Sequence, residues 1–167
     1  MSKLLRDLAY LRRGLYVDKD YVKIVNPILR NNAVQEMRKY MHHGYVDCLS
    51  HSMQVSFLAY RIGKRLNLDY KALARAGMLH DFYLYDWHVK GDRVGLHGLT
   101  HAQTALENAE KYFNINQMER DIIKRHMWPL NIGIPKYKES VVMMFADRYC
   151  TVMESLRIAP LQLKLYR

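Results

Sequence analysis

The chain has 167 residues, half of them hydrophobic, which suits one domain with a sizeable core. Its 26 Lys and Arg against 16 Asp and Glu give a net charge of +10, which favours anionic partners such as nucleotides, nucleic acid or acidic lipid without choosing among them. The longest apolar run, residues 141–146, is far too short for a membrane span, the N-terminus has no long apolar h-region, and Cys48 and Cys150 make no disulfide framework, so the expected compartment is the cytoplasm with reduced thiols.

The basic excess lies mostly in the flanks: residues 1–40 hold nine Lys/Arg against four Asp/Glu, and residues 151–167 hold three against one. In the first flank Leu4, Leu8, Leu11 and Leu15 repeat at helical spacing, with Lys3, Arg6, Arg12 and Arg13 between them. Such a stripe is expected to pack on its own domain or a partner chain; a membrane surface is the other reading. A break falls near residues 14–20. A second, at Asn26-Pro27, precedes a helix to about Met41, and His42-His43-Gly44 reads as its end rather than as a ligand pair.

Asp47 should start a long helix to about Asn67, with His51, Val55, Leu58, Ile62 and Leu66 as its inner stripe. Asp69 is the expected N-cap of the next helix, which carries Leu73, Ala76 and His80. Residues 83–98 hold glycines and mixed charges and read as a loop. Helices are expected from about Thr100 to Phe113, Gln117 to Met127 and Glu139 to Leu156. "WPLNIGIPKY" is a loop between the last two, and Pro160 separates a short tail. No strand alternation or repeat is visible. The fold class is therefore all-α, one unit with a core over about 45–155 and basic helical flanks at 1–40 and 156–167.

"AGMLHDFYLYDW", residues 76–87, holds the only His-Asp dipeptide. Composition alone predicts about 0.5 such pairs, so the dipeptide is weak by itself. Its weight comes from the company it keeps. His51, His80, Asp81, His101, His126 and Asp147 all stand beside apolar residues of their own predicted helices. A buried imidazole or carboxylate is costly unless hydrogen-bonded, paired or bound to metal. Four imidazoles and two carboxylates on five helices also suit a dinuclear first-row metal site, with a carboxylate able to bridge and no thiol required.

The order His51, His80-Asp81, His101, His126, Asp147 resembles the HD superfamily of metal-dependent phosphohydrolases. "SHSMQVSFLAYRIG", "LARAGMLHDF", "IIKRHMWP" and "MMFADRYC" look like its hallmark segments. The resemblance implies an HD-domain helical bundle with extra terminal helices. It implies that His51, His80, Asp81 and Asp147 hold one metal, with Asp81 bridging to a second held by His101 and His126. Asp81, His101 and His126 would be the catalytic residues around a metal-bridging hydroxide. The ions implied are Fe or Mn, with Zn, Co or Ni as further candidates. His97 and His101 both fit the family's middle His position; a small residue usually follows that ligand by four, which favours His101 with its Ala105 and leaves His97 supporting the ligands from behind or facing substrate.

Many HD hydrolases carry Lys three residues after the Asp, where this chain has Leu84. A phosphate clamp must then come from elsewhere, and the candidates are Lys90, Arg93, Lys124, Arg125, Lys136 and Arg148, with His97 and His88 beside them. Tyr83, Tyr85 and Trp87 could wall the pocket or simply pack. The first expectation is hydrolysis of a phosphate ester or anhydride of a nucleotide or small phosphorylated metabolite. A diiron HD-type oxygenase would use the same ligands. A metal-stabilised nucleotide- or RNA-binding module is the non-enzymatic reading, and a homodimer is compatible with all three.

Overall fold

A computed structural model describes residues 19–43, 46–89 and 95–156. The leucine stripe of residues 4–15, Lys90, Arg93 and the tail from 157 lie outside the described residues. Seven α-helices and one short antiparallel hairpin make up the described chain, which is the all-α helical bundle expected. None of these helices is long and apolar enough to cross a membrane.

Helix α1 (Lys19–Leu29) buries Tyr21, Val25, Ile28 and Leu29 on one face. It runs through Asn26-Pro27, where a break was expected. Proline removes one backbone donor and crowds the carbonyl four residues back. Both Pro27 and Lys23 are exposed, so the loss falls on the solvent face while Ile28 and Leu29 keep their burial. The expected helix to Met41 is replaced by α2 (Asn32–Glu36), a 3-10 turn (Met37–Lys39) and the hairpin β1 (Met41–His43) with β2 (Val46–Asp47). The Asn31 side chain accepts from Ala33 N–H at 2.9 Å and starts a new helix there. The Cys48 amide donates to Tyr40 O at 2.9 Å, which closes the hairpin.

Helix α3 (Cys48–Arg65) starts where predicted, with the Asp47 carboxylate accepting from Ser50 N–H at 2.9 Å. Its buried face differs from the expected stripe. His51, Ser52, Val55, Ser56, Ala59 and Gly63 are buried, Leu58 and Ile62 are half-buried, and Leu66 is 57% exposed. The reason is the partner. Helix α4 (Tyr70–Leu79), capped by Asp69 as expected, crosses α3 on its small residues. Ser56 donates to Ala74 O at 2.6 Å, and Tyr21 OH lies 3.0 Å from Ser56 Oγ. Close approach of two backbones selects small side chains over leucines.

Helix α5 (His97–Tyr112) begins one turn earlier than predicted; α6 (Gln117–Arg125) carries the Asn116–Glu119 capping box; α7 (Lys138–Ser155) closes the bundle. One apolar cluster joins residues of α1 through α7, including Tyr21, Leu49, Leu73, Phe82, Ile122 and Met143. Against it lie the start of α3, the end of α4, the start of α5, the end of α6 and the middle of α7.

The α3–α4 contact is testable. A Cβ on Gly77 would stand 2.6 Å from Ser56 Cα, a backbone atom that cannot swing away. Gly77→Ala is expected to cost about 2 kcal/mol or more. Urea denaturation should show a lower midpoint with an unchanged slope; an unchanged midpoint would contradict the close packing.

Candidate metal centre

Asp81 lies just past α4 and is 2% exposed. Its two carboxylate oxygens face different imidazoles. Oδ2 is 2.9 Å from His42 Nε2, 3.6 Å from His80 Nε2 and 3.9 Å from His51 Nε2. Oδ1 is 3.3 Å from His101 Nε2 and 3.6 Å from His126 Nε2. Asp147, one turn before Thr151 on α7, brings Oδ1 to 3.1 Å from His51 Nε2 and 3.6 Å from His80 Nε2. The six residues singled out from sequence thus meet in one buried cluster. Its subsets His51–His80–Asp147 and His80–Asp81–His126 each have ligand atoms close enough for a shared ion.

The far side of each ring explains how the donors are aimed. His80 Nδ1 donates to Gly77 O, His126 Nδ1 to Ile123 O and His101 Nδ1 to His97 O, each at 2.8 Å. His80 and His126 are the C-terminal cap residues of α4 and α6, where last-turn carbonyls lack intrahelical partners. His51 Nδ1 faces both oxygens of Glu154, at 3.0 and 3.1 Å. In a neutral ring, a proton fixed on Nδ1 leaves the Nε2 lone pair pointing inward, the tautomer a metal ligand needs.

Those lone pairs are poorly satisfied by protein alone. His101 Nε2 and His126 Nε2 are 3.0 Å apart, although both rings already spend Nδ1–H on carbonyls. Among the described residues, His80 Nε2 and Asp81 Oδ1 are buried and find no hydrogen-bond partner. Buried polar atoms normally find partners. Imidazole and carboxylate donors suit divalent first-row ions, so the residues present fit such a metal.

Electrostatics follow the same division. Burial opposes ionisation of Asp81 and Asp147, but the surrounding imidazoles outweigh it and hold both carboxyls well below the usual range. Burial alone would lower His51; hydrogen bonds to Asp147 and Glu154 instead raise it to about 10. His126 is pushed down to about 4 by burial and by neighbouring His80 and His101, so it stays neutral. Burial raises both cysteine thiols, and Cys48 Sγ donates to Asp81 O at 3.1 Å. Neither is poised as a thiolate.

Two contributors escaped the sequence reading. His42, read as a helix end, sits on β1, is 6% exposed and stacks on His51 with ring centroids 3.7 Å apart. Glu154, 2% exposed, holds the back of His51. Glu154 lies seven residues after Asp147, two turns along the same helix face, which is the signal that could have found it. Nothing local marks His42.

A cavity of about 680 Å³ opens onto the cluster, lined in part by His42, Asp81, His101, His126 and Asp147. Of the predicted substrate residues, His97 and Arg148 line it. His97 stacks between Trp87 and His101 and is hydrogen-bonded to Tyr85 OH at 3.0 Å. Arg148 donates to Trp128 O. His88 is exposed, stacks on the outer side of Trp87 and does not line the cavity. Lys124 and Arg125 line a separate groove with Leu99 and Ile132, and Arg125 donates to Ile132 O at 2.6 Å. Lys136 is exposed on the loop before α7, its amide bonded to Asp121 at 2.9 Å. Leu84, at the position of the family lysine, packs against the core.

Metal uptake should release protons. With His51 held at about 10, its ring is an imidazolium at neutral pH and must shed the Nε2 proton to ligate. Affinity for a divalent ion should therefore rise from pH 6 to pH 8, by about tenfold per unit for each proton displaced. Calorimetry in buffers of different ionisation heat counts those protons; a count of zero at pH 7 would contradict the arrangement.

Neither a search of curated proteins nor one of solved structures found a match. The HD domain family model matches residues 48–151, from the first residue of α3 to within a turn of the end of α7. That span is well over half of the chain and contains His51, His80, Asp81, His101, His126 and Asp147. The chain belongs to the HD domain family, the superfamily of metal-dependent phosphohydrolases.

Proposed function

We propose that this protein is a dinuclear metal-dependent phosphohydrolase acting on a phosphate ester or anhydride of a nucleotide or small phosphorylated metabolite. The observation that carries the reading is the split of Asp81: one carboxylate oxygen toward His51 and His80, the other toward His101 and His126. His51, His80, Asp81 and Asp147 would hold one ion, and Asp81, His101 and His126 the other. When bound, the pair would supply a hydroxide at neutral pH and neutralise phosphoryl oxygens. Fe or Mn is the preferred occupant of this imidazole and carboxylate set, with Zn, Co or Ni as alternatives.

The chain's own groups do the rest. His42, Asp81, His101, His126 and Asp147 border the cavity, whereas His51 and His80 are fully buried and do not, so substrate reaches both halves of the cluster from that side. Arg148 at the cavity wall offers a cation to a substrate phosphate. Trp87 and His97, stacked with their planes 13° apart, offer a flat wall to an organic moiety. Leu96, Met127, Leu130 and Val152 add apolar surface to the cavity wall.

A panel of phosphomonoesters, phosphodiesters and nucleotides, assayed without oxygen on metal-loaded protein, tests the reading. Phosphate or phosphomonoester release is expected, and Asp81→Ala should lower turnover by at least 10³-fold, the order of a lost essential catalytic group. Turnover that requires oxygen and consumes it would replace the hydrolase with the diiron oxygenase. Salt-sensitive nucleotide or RNA binding with no turnover would replace it with the binding module.

A further inference from the structure

His42 lies outside the span matched by the HD family and reaches the centre from the hairpin. Its ring repeats the placement of its stacked neighbour His51. In both, Nε2 points toward Asp81 Oδ2, at 2.9 Å for His42 and 3.9 Å for His51. In both, Nδ1 points toward Glu154 Oε2, at 3.7 Å for His42 and 3.0 Å for His51. Glu154 thus holds the Nδ1 of His51 by hydrogen bond, the outer-shell arrangement that fixes a ligating tautomer, and faces the Nδ1 of the parallel His42 ring from 3.7 Å, beyond hydrogen-bond reach. His42, His51 and Asp81 also form a cluster whose ligand atoms lie close enough together to share one ion.

The hairpin is held so that this ring stays in place. Trp87 Nε1 donates to Met41 O and His42 O, each at 3.1 Å, which pins β1 to the loop after the His-Asp pair. A side chain that merely filled space would not need its backbone tied on one side and its ring stacked on the other.

We propose that His42 is an additional imidazole ligand of the metal on the His51, His80 and Asp147 side, supplied by the hairpin preceding the HD segment. The proposal rests on the metal reading above. It makes the centre asymmetric: His42, His51, His80, Asp81 and Asp147 serve one ion, and Asp81, His101 and His126 serve the other. Ligands of both ions border the cavity, His42 and Asp147 for the first and His101 and His126 for the second, so the ion with fewer protein ligands is the one with more room for substrate oxygens.

The test is proton NMR of the full chain loaded with Co²⁺, compared with His42→Gln. Each imidazole bound through Nε2 gives one strongly shifted, exchangeable Nδ1–H resonance. The wild type should show such a resonance for each of His42, His51, His80, His101 and His126, and His42→Gln should lose one while keeping the others. Gln can still donate to Asp81, so a purely hydrogen-bonding His42 would give the same count in both proteins and overturn the proposal. If the variant does not fold, the wild-type count decides alone: four shifted resonances overturn the proposal, five support it. Absence of any shifted resonance in the wild type would overturn the metal centre itself, a failure distinct from the loss of His42 alone.

Discussion

Two carboxylates buried in the middle of a helical bundle are the constraint that the rest of this structure answers. An ionised carboxylate in the interior costs several kcal/mol unless charge and hydrogen bonds replace its lost water. Asp81 and Asp147 are 2% and 6% exposed. Around them stand His42, His51, His80, His101 and His126, each brought by a different element. Without metal, protons shared among imidazoles and carboxylates balance the cluster, and His51 carries the clearest of them. A cation does the same work with more charge in less space.

The bundle aims its donors by an economical device. Two of the imidazoles sit on the terminal residues of helices and spend Nδ1 on carbonyls that the helix leaves over. The groups that terminate α4 and α6 are therefore the same groups that face the centre. The α3–α4 crossing makes this workable: Gly77, whose carbonyl holds His80, is also where α4 touches Ser56 of α3. Packing at that point and orientation of His80 are one structural fact.

Much of this was legible in the residues. Asp47 and Asp69 announce helix starts through local hydrogen bonds that need no tertiary context, and both cap as expected; Asn116 does the same before the helix expected from about Gln117. The six polar residues beside apolar neighbours are also local, and they converge. What was not legible depends on partners far along the chain. The buried face of α3 is set by α4, so Ser56 and Gly63 are inside while Leu66 is out. Pro27 looks like a breaker until its solvent-facing position is known. His42 enters the centre through a hairpin of five residues, of which His42 is the one outside the pairing register, with no hydrophobic alternation to reveal it. A basic residue carries no local mark of where its side chain will point, and Lys124 and Arg125 line a groove of their own.

On the proposed reading, Asp81 joins two metal sites and His126 serves the second. Metal content per chain, measured after anaerobic purification without a metal-affinity tag, distinguishes the wild type from His126→Ala. About two first-row ions are expected in the wild type and about one or fewer in the variant. A single ion in both proteins, or none in either after reconstitution, would contradict it.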